Sequence, residues 1–280
     1  MLKIDYSQEL GIFRYLLFPQ GKIADRLLTS DVKKPANYPE ILLFCRIAAT
    51  SLSLWRLLPK GDKPVGNQPA DIASIASLTR NVIETFNSFF FLCLDNAPEE
   101  ERKFRRLTTA LHYLVEKKLV GESLINSPNV DENLMSCELE VEALRRKIEQ
   151  NSFFKQLDAK RQKSVLTGTR AMYLTRTQIA GKLKLDARFL EGQYKVLSNH
   201  THPFAYGLYL EFSDDIGSDS DYARNRLALG LYLLNFYLGM SLHTMNAIYP
   251  NLNEFVTEEV NACAIKLANR FSMADSTLFR

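Results

Sequence analysis

Apolar residues recur every three or four positions along most of this chain, and nowhere do they alternate with polar ones over a run long enough for a sheet. The pattern predicts an all-α fold, a multi-helix bundle. Helices are expected over 8–18, 39–58, 70–95, 99–120 and 132–154, as a pair around 162–183 and 186–197, and then over 222–248 and 252–270. The Pro- and Gly-dense run 59–69 and the stretch 121–133 around Pro128 read as loops. Both are short and bounded by strong helical patterns, and no internal repeat is present. A single helical domain over 1–280 is therefore expected, its first 60 residues packing on a 70–270 core.

Two helices should be buried on nearly every side. From Phe89 to Leu94 the apolar residues cover all faces, and 228–242 is apolar apart from residues such as Asn235 and Ser241. Phe89, Phe90, Phe91, Leu231, Leu234 and Tyr237 are the expected core. The second stretch falls short of the ~20 residues that span a bilayer, so it reads as a central core helix with no membrane partner. With 46% apolar and 24% charged residues the composition is that of a soluble globular chain. The N-terminus lacks the apolar run of a signal peptide, and Cys45, Cys93, Cys137 and Cys263 show no close metal spacing. A reducing, cytoplasmic setting is expected.

Charge changes the picture in one region. Residues 155–195 carry ten lysines and arginines against Asp158, Asp186 and Glu191. That imbalance points to an acidic partner, nucleic acid above all, or to a solvated helical face. Within it, the segment from Thr175 to Asp186 and the helix after it resemble a helix-turn-helix, with Ala180 at the small packing position, Leu190 in the core and Lys184 where a turn glycine is usual.

The chemistry-bearing residues gather in Tyr194-Lys-Val-Leu-Ser-Asn-His-Thr-His-Pro-Phe-Ala-Tyr206, which holds two of the four histidines. Pro203 should end a helix there and present His200 and His202 at its C-terminus, where the dipole favours imidazolium. Ser198 and His202 have the i,i+4 spacing of a Ser-His pair but lack a nucleophile elbow. The two histidines, two apart, point to different sides with no acid or cysteine beside them, so neither a metal nor a cofactor is expected. The acids Asp214, Asp215, Asp219 and Asp221 do not follow a calcium-loop spacing and read as helix-capping residues. Arg80 and Glu84, four apart on the stripe that continues through Asn87 to Phe91, should point toward other helices or a cavity, although an i,i+4 surface ion pair is the plain alternative. Buried charges need polar partners, and Tyr194 to His202 is the polar concentration available. Arg80 or Glu84 is therefore expected within reach of His202 or His200.

The motifs Ser77-Leu-Thr-Arg-Asn-Val-Ile-Glu84 and Gln178-Ile-Ala-Gly-Lys-Leu-Lys-Leu, leading into Tyr194-Lys-Val-Leu-Ser198 and His202-Pro203, resemble a bacterial all-helical family of unknown function. Its pattern is R-x-x-x-E followed much later by Y-x-x-L-S-x-x-x-H, over roughly residues 40 to 245. The resemblance implies that Arg80, Glu84, Tyr194, Ser198 and His202 converge, with Arg80, Glu84 and His202 as catalytic candidates and Tyr194, Ser198 and His200 as ligand-binding ones. It implies no named reaction. Arg106-Leu-Thr-Thr-Ala-Leu-His112 has the R-x(4–6)-H spacing of HEPN ribonucleases, in which dimer-related helices supply an arginine and a histidine to RNA. Three functions are compatible with these features: a HEPN-like RNA-acting effector in stress or phage response, a non-catalytic ligand-binding or protein-interaction module, and a helix-turn-helix DNA-binding regulator. A homodimer or a partner protein fits the first two.

Overall fold

The computed structural model describes residues 4–29, 39–60, 71–123, 130–201 and 221–271. Among the described residues the regular elements are helices, with no strand. They form two compact units: Met1–Phe90 with Arg176–Arg280, and Phe91–Thr175.

The first unit holds α1 (Tyr6–Thr29), α2 (Pro39–Leu57), α3 (Ile72–Phe89), α7 (Arg176–Lys182), α8 (Ala187–Thr201), α9 (Asp221–Ile248) and α10 (Glu258–Ala268). Helix α9 is its centre, packed by α1, α3 and α10. Leu227, Ala228, Leu231, Leu233, Leu234, Phe236, Tyr237, Leu238, Leu242 and Met245 are all buried, as the all-round apolar pattern requires. Phe89, Phe90 and Phe91 are buried too. One polar cluster inside this core is held by hydrogen bonds. Asn235 donates to the Glu9 carboxylate at 2.7 Å, and Arg270 grips the same carboxylate at 3.1 Å through both terminal nitrogens. At Gly239 a Cβ would lie 2.8 Å from that of Leu267, so α9 and α10 approach as closely as they do because no side chain intervenes.

Helix α1 differs from expectation. Its pattern predicts a helix over 8–18, ending before Pro19, yet the helix runs on to Thr29. Gln20, Ile23, Ala24 and Leu27 continue the buried stripe of Glu9, Phe13 and Leu16, and that burial outweighs the ~3 kcal/mol proline penalty.

The second unit, entered through a π-helical turn at Phe90–Leu94, pairs α4 (Glu99–Ser123) antiparallel with α5 (Val130–Gln150) and adds a short 3-10 turn and α6 (Ala159–Leu166). Phe104, Leu111, Leu114, Val141, Ile148, Phe154 and Val165 form its core. The helices run past the expected loop 121–133 from both sides. Helix α5 stops before residue 154 because the Asn151 side chain accepts from the amides of Phe153 and Phe154, at 2.9 and 3.2 Å. The expected helix over 162–183 is divided: α6 ends at Leu166, just before Gly168, which has φ +70 and where a Cβ would fall 2.6 Å from Val115 Cγ2. The expected helix over 252–270 is likewise divided: Thr257 caps α10 by accepting from the Val260 amide, leaving 250–255 as a 3-10 turn. No helix among the described residues is long and apolar enough to cross a membrane, and all four cysteines are free thiols.

Candidate functional site

The site is assembled where α3 meets α8 in the first unit. Asp71 starts α3 by accepting from the Ser74 amide at 2.9 Å, which fixes the phase of a helix whose buried stripe runs through Ile75, Thr79, Val82, Ile83 and Phe86. Arg80 and Glu84 sit at the edge of that stripe and face α8. On α8, Tyr194 and Leu197 are buried, and Thr201 lies two turns beyond Tyr194 on the same side.

Arg80 joins the two helices. Its Nη1 donates to Thr201 Oγ1 at 2.8 Å, and its Nη2 donates to the Tyr194 hydroxyl at 2.9 Å and to Glu84 Oε1 at 3.4 Å. The Tyr194 hydroxyl in turn donates to Glu84 Oε1. Burial raises the Tyr194 pKa above its ordinary value and the bond to Glu84 raises it further, so the phenol stays a donor at neutral pH. Glu84 is half exposed at its side chain, 51% against 22% for Arg80, so solvent screens their ion pair and most of the cohesion comes from the tyrosine and threonine bonds.

A second arginine covers the other face of Tyr194. The Arg176 guanidinium stacks 3.6 Å from the ring centroid and holds Glu191 at 2.9 and 3.3 Å. Two arginines and two glutamates thus surround one buried phenol. Beside them is a cavity of about 20 Å³, lined among others by Asn87, Arg176, Glu191, Tyr194 and Tyr237, with room for about one water.

The other expected site residues are placed differently. His200 is buried and lines a separate cavity of about 20 Å³ that contains Thr79, Gln193 and Arg226 rather than Arg80 and Glu84. Burial lowers its pKa, with Arg226 adding to the effect, so the imidazole is neutral at pH 7 rather than the imidazolium expected of a helix C-terminus. Ser198 is half-buried, and its carbonyl accepts from the Thr201 hydroxyl at 2.7 Å. His202, Pro203 and the acids from Asp214 to Asp219 lie outside the described residues, as does the Asp221 side chain. Among the described residues no group of three or more His, Cys, Asp or Glu side chains gathers as a metal site would.

Arg106 and His112 do different jobs. The Arg106 side chain is 62% exposed and donates to Glu99, while His112 Nδ1 bonds the Gly168 carbonyl at 2.8 Å. Six residues apart, they stand about 120° apart around α4.

The most enclosed polar cluster in the second unit centres on the neighbouring Arg105, which the sequence reading passed over. Its side chain is 1% exposed. Its Nη2 meets Asp95 and Glu101 at 2.5 Å each, Nη1 the Phe91 carbonyl at 2.6 Å and Nε the Tyr173 hydroxyl at 3.2 Å. Glu101 four residues before Arg105, the favourable order for an i,i+4 pair, was the available clue.

No characterised protein and no solved structure shows significant similarity to the chain. A family model spans residues 38–221, which takes in both the Arg80–Glu84 helix and the Tyr194–Thr201 helix. On that match the chain belongs to a family of unknown function, DUF5677.

Proposed function

We propose that the protein binds nucleic acid through the basic region 155–195, with the Arg80–Glu84–Tyr194 network holding the helix that carries Arg188 and Lys195. The observation that supports this is exposure: Lys155, Lys160, Arg161, Lys163, Arg170, Arg176, Lys182, Lys184, Arg188 and Lys195 are all exposed. Buried or mutually neutralised charges would have spoken for a structural role. Of the three acids within the region, Asp158 and Glu191 pair with Arg161 and Arg176 and Asp186 caps α8, so ten cations stand against three acids and most of the positive charge is left over.

Binding is put ahead of catalysis because both terminal nitrogens of Arg80, the Tyr194 hydroxyl and Glu84 Oε1 are already engaged with one another or with Thr201. The RNA-acting version, in stress or phage response, assigns Arg80, Glu84 and His202 to chemistry on the RNA backbone. It draws support from Thr201, one residue before His202, which accepts a hydrogen bond from Arg80. A HEPN-type pair of Arg106 and His112 draws none from their divergent placement in the chain.

A mobility-shift series with duplex DNA and single-stranded RNA tests the proposal. Retardation at low salt should weaken steeply as salt rises, since displaced counterions drive the binding. No retardation of either polymer at 50 mM salt contradicts it. RNA cleaved by the wild type and left intact by Arg80→Ala would favour the catalytic version.

A protein-interaction role has its own observation. In the second unit, Val115, Leu119 and Val141 line a groove of about 380 Å³ with Lys118, Glu138, Glu142 and Arg145 around it, and Leu119 is exposed. Concentration-dependent association of the chain, lost in Leu119→Lys, would favour that reading.

A further inference from the structure

We infer that the nucleic-acid contact is made by α7 and α8 as a helix-turn-helix, and that its ligand is a duplex whose groove receives the N-terminal half of α8. The inference rests on the nucleic-acid reading and adds the element that touches the ligand and the form of nucleic acid it takes.

The turn carries the first part of the case. Lys184 has φ +57, the left-handed conformation that a glycine usually supplies. The Leu185 amide returns to the Ala180 carbonyl at 2.9 Å and the Lys184 amide to that of Gly181 at 3.0 Å, the paired bonds of a Schellman helix stop. Leu185 is buried, and Asp186 starts α8 at once by accepting from the Phe189 amide at 2.9 Å. Four residues thus separate α7 from α8, the connection length of a helix-turn-helix.

The two helices are fixed to one another and to the rest of their unit. Ile179 and Ala180 are buried, and Arg176 spans from α7 to Glu191 and the Tyr194 ring on α8. The later part of α8 is anchored on α3 by Tyr194, Leu197 and the Arg80 bonds, so its earlier part is presented rigidly.

The outward stripe of α8 is Arg188, Gly192 and Lys195, all exposed. Positions i, i+4 and i+7 form one face about 10 Å long, and a helix of 10–12 Å diameter matches a major groove about 12 Å wide. Lys182 and Lys184 flank it from the end of α7 and the turn. Gly192 is the second observation. A Cβ there would meet nothing within 4 Å, so packing within the chain does not demand a glycine, which costs about 1 kcal/mol in a helix interior. A bare backbone at the centre of a cationic stripe suits the close approach of a partner's surface.

The test compares three variants of the full chain, each checked for wild-type circular dichroism: K182Q/R188Q/K195Q on this element, K103Q/K117Q/K147Q at exposed lysines of the second unit outside the basic region, and Gly192→Gln. Binding to a labelled mixed-sequence duplex and to single-stranded RNA is measured across a salt series. The expected result is a wild type that prefers the duplex and a first variant weakened on the order of a hundredfold at 0.1 M salt, with its log–log salt slope smaller by about 3. The second variant should bind within a few-fold of the wild type, and Gly192→Gln should bind at least tenfold more weakly while melting no lower. Loss in the second variant equal to or greater than in the first, preference for the single strand, or wild-type binding by Gly192→Gln overturns the inference and leaves the nucleic-acid reading standing. No binding by the wild type removes both.

Discussion

Replacing Arg105 with methionine tests the energetics of the second unit most severely. The substitution keeps the length and much of the apolar stem but removes the guanidinium that meets Asp95, Glu101, the Phe91 carbonyl and the Tyr173 hydroxyl. Asp95 and Glu101 are only 11% and 12% exposed at their side chains, so two carboxylates would be left close together with little solvent to screen them. Breaking a buried ion pair by deleting one partner typically costs about 3–5 kcal/mol, and the abandoned Phe91 carbonyl adds to that. Urea unfolding followed by circular dichroism should therefore show Arg105→Met less stable by about 3–5 kcal/mol. The triple variant D95N/R105M/E101Q, which also discharges both acids, should recover a large part of the loss, because the penalty lies in uncompensated charge rather than in missing volume. A cost below about 1 kcal/mol for Arg105→Met, or a triple variant no better than the single, would refute this reasoning.

Tyr194→Phe removes the hydroxyl that donates to Glu84 and accepts from Arg80, and should cost about 1.5–3 kcal/mol in the same assay; a neutral result would mean solvent already satisfies both charges. Lys184→Gly should raise stability by about 1 kcal/mol, since the left-handed backbone at φ +57 penalises a Cβ, and a lower melting temperature would contradict that. Because burial holds the His200 pKa below its ordinary 6.5, the neutral imidazole contributes stability above about pH 6.5 that is lost as pH falls through and below that value. His200→Leu should therefore lose less stability than the wild type between pH 7 and pH 5, and parallel pH profiles would contradict the burial argument.

Helix periodicity made most of the first unit legible, because burial of an apolar stripe is what selects those helices. The places where it misled share a physical cause: local chemistry that competes with periodicity. At Pro19 the continuing stripe overrode the breaker, whereas at Asn151 and Thr257 a side chain that captures backbone amides overrode the stripe. The meeting of Arg80 and Glu84 with the 194–201 helix was readable, since a polar pair among packed helices needs polar partners within reach. Of the partners, Tyr194 was readable and Thr201 was not, as periodicity gives faces rather than rotamers. Thr201, seven residues after Tyr194, bonds Arg80, whereas His200, the second of the two histidines expected there, faces Thr79 and Arg226, and His202, the first, lies outside the described residues. Arg105 escaped notice because it stands beside the exposed Arg106 in a charged stretch, and only the tertiary positions of Asp95 and Tyr173 reveal that it is enclosed.

The salt dependence of duplex binding by the wild-type chain addresses the central claim most directly. If Lys182, Lys184, Arg188 and Lys195 all meet phosphates, log affinity should fall linearly with log salt at a slope of about −3.6. Absence of binding at 50 mM salt, or an affinity that salt leaves unchanged, would contradict it.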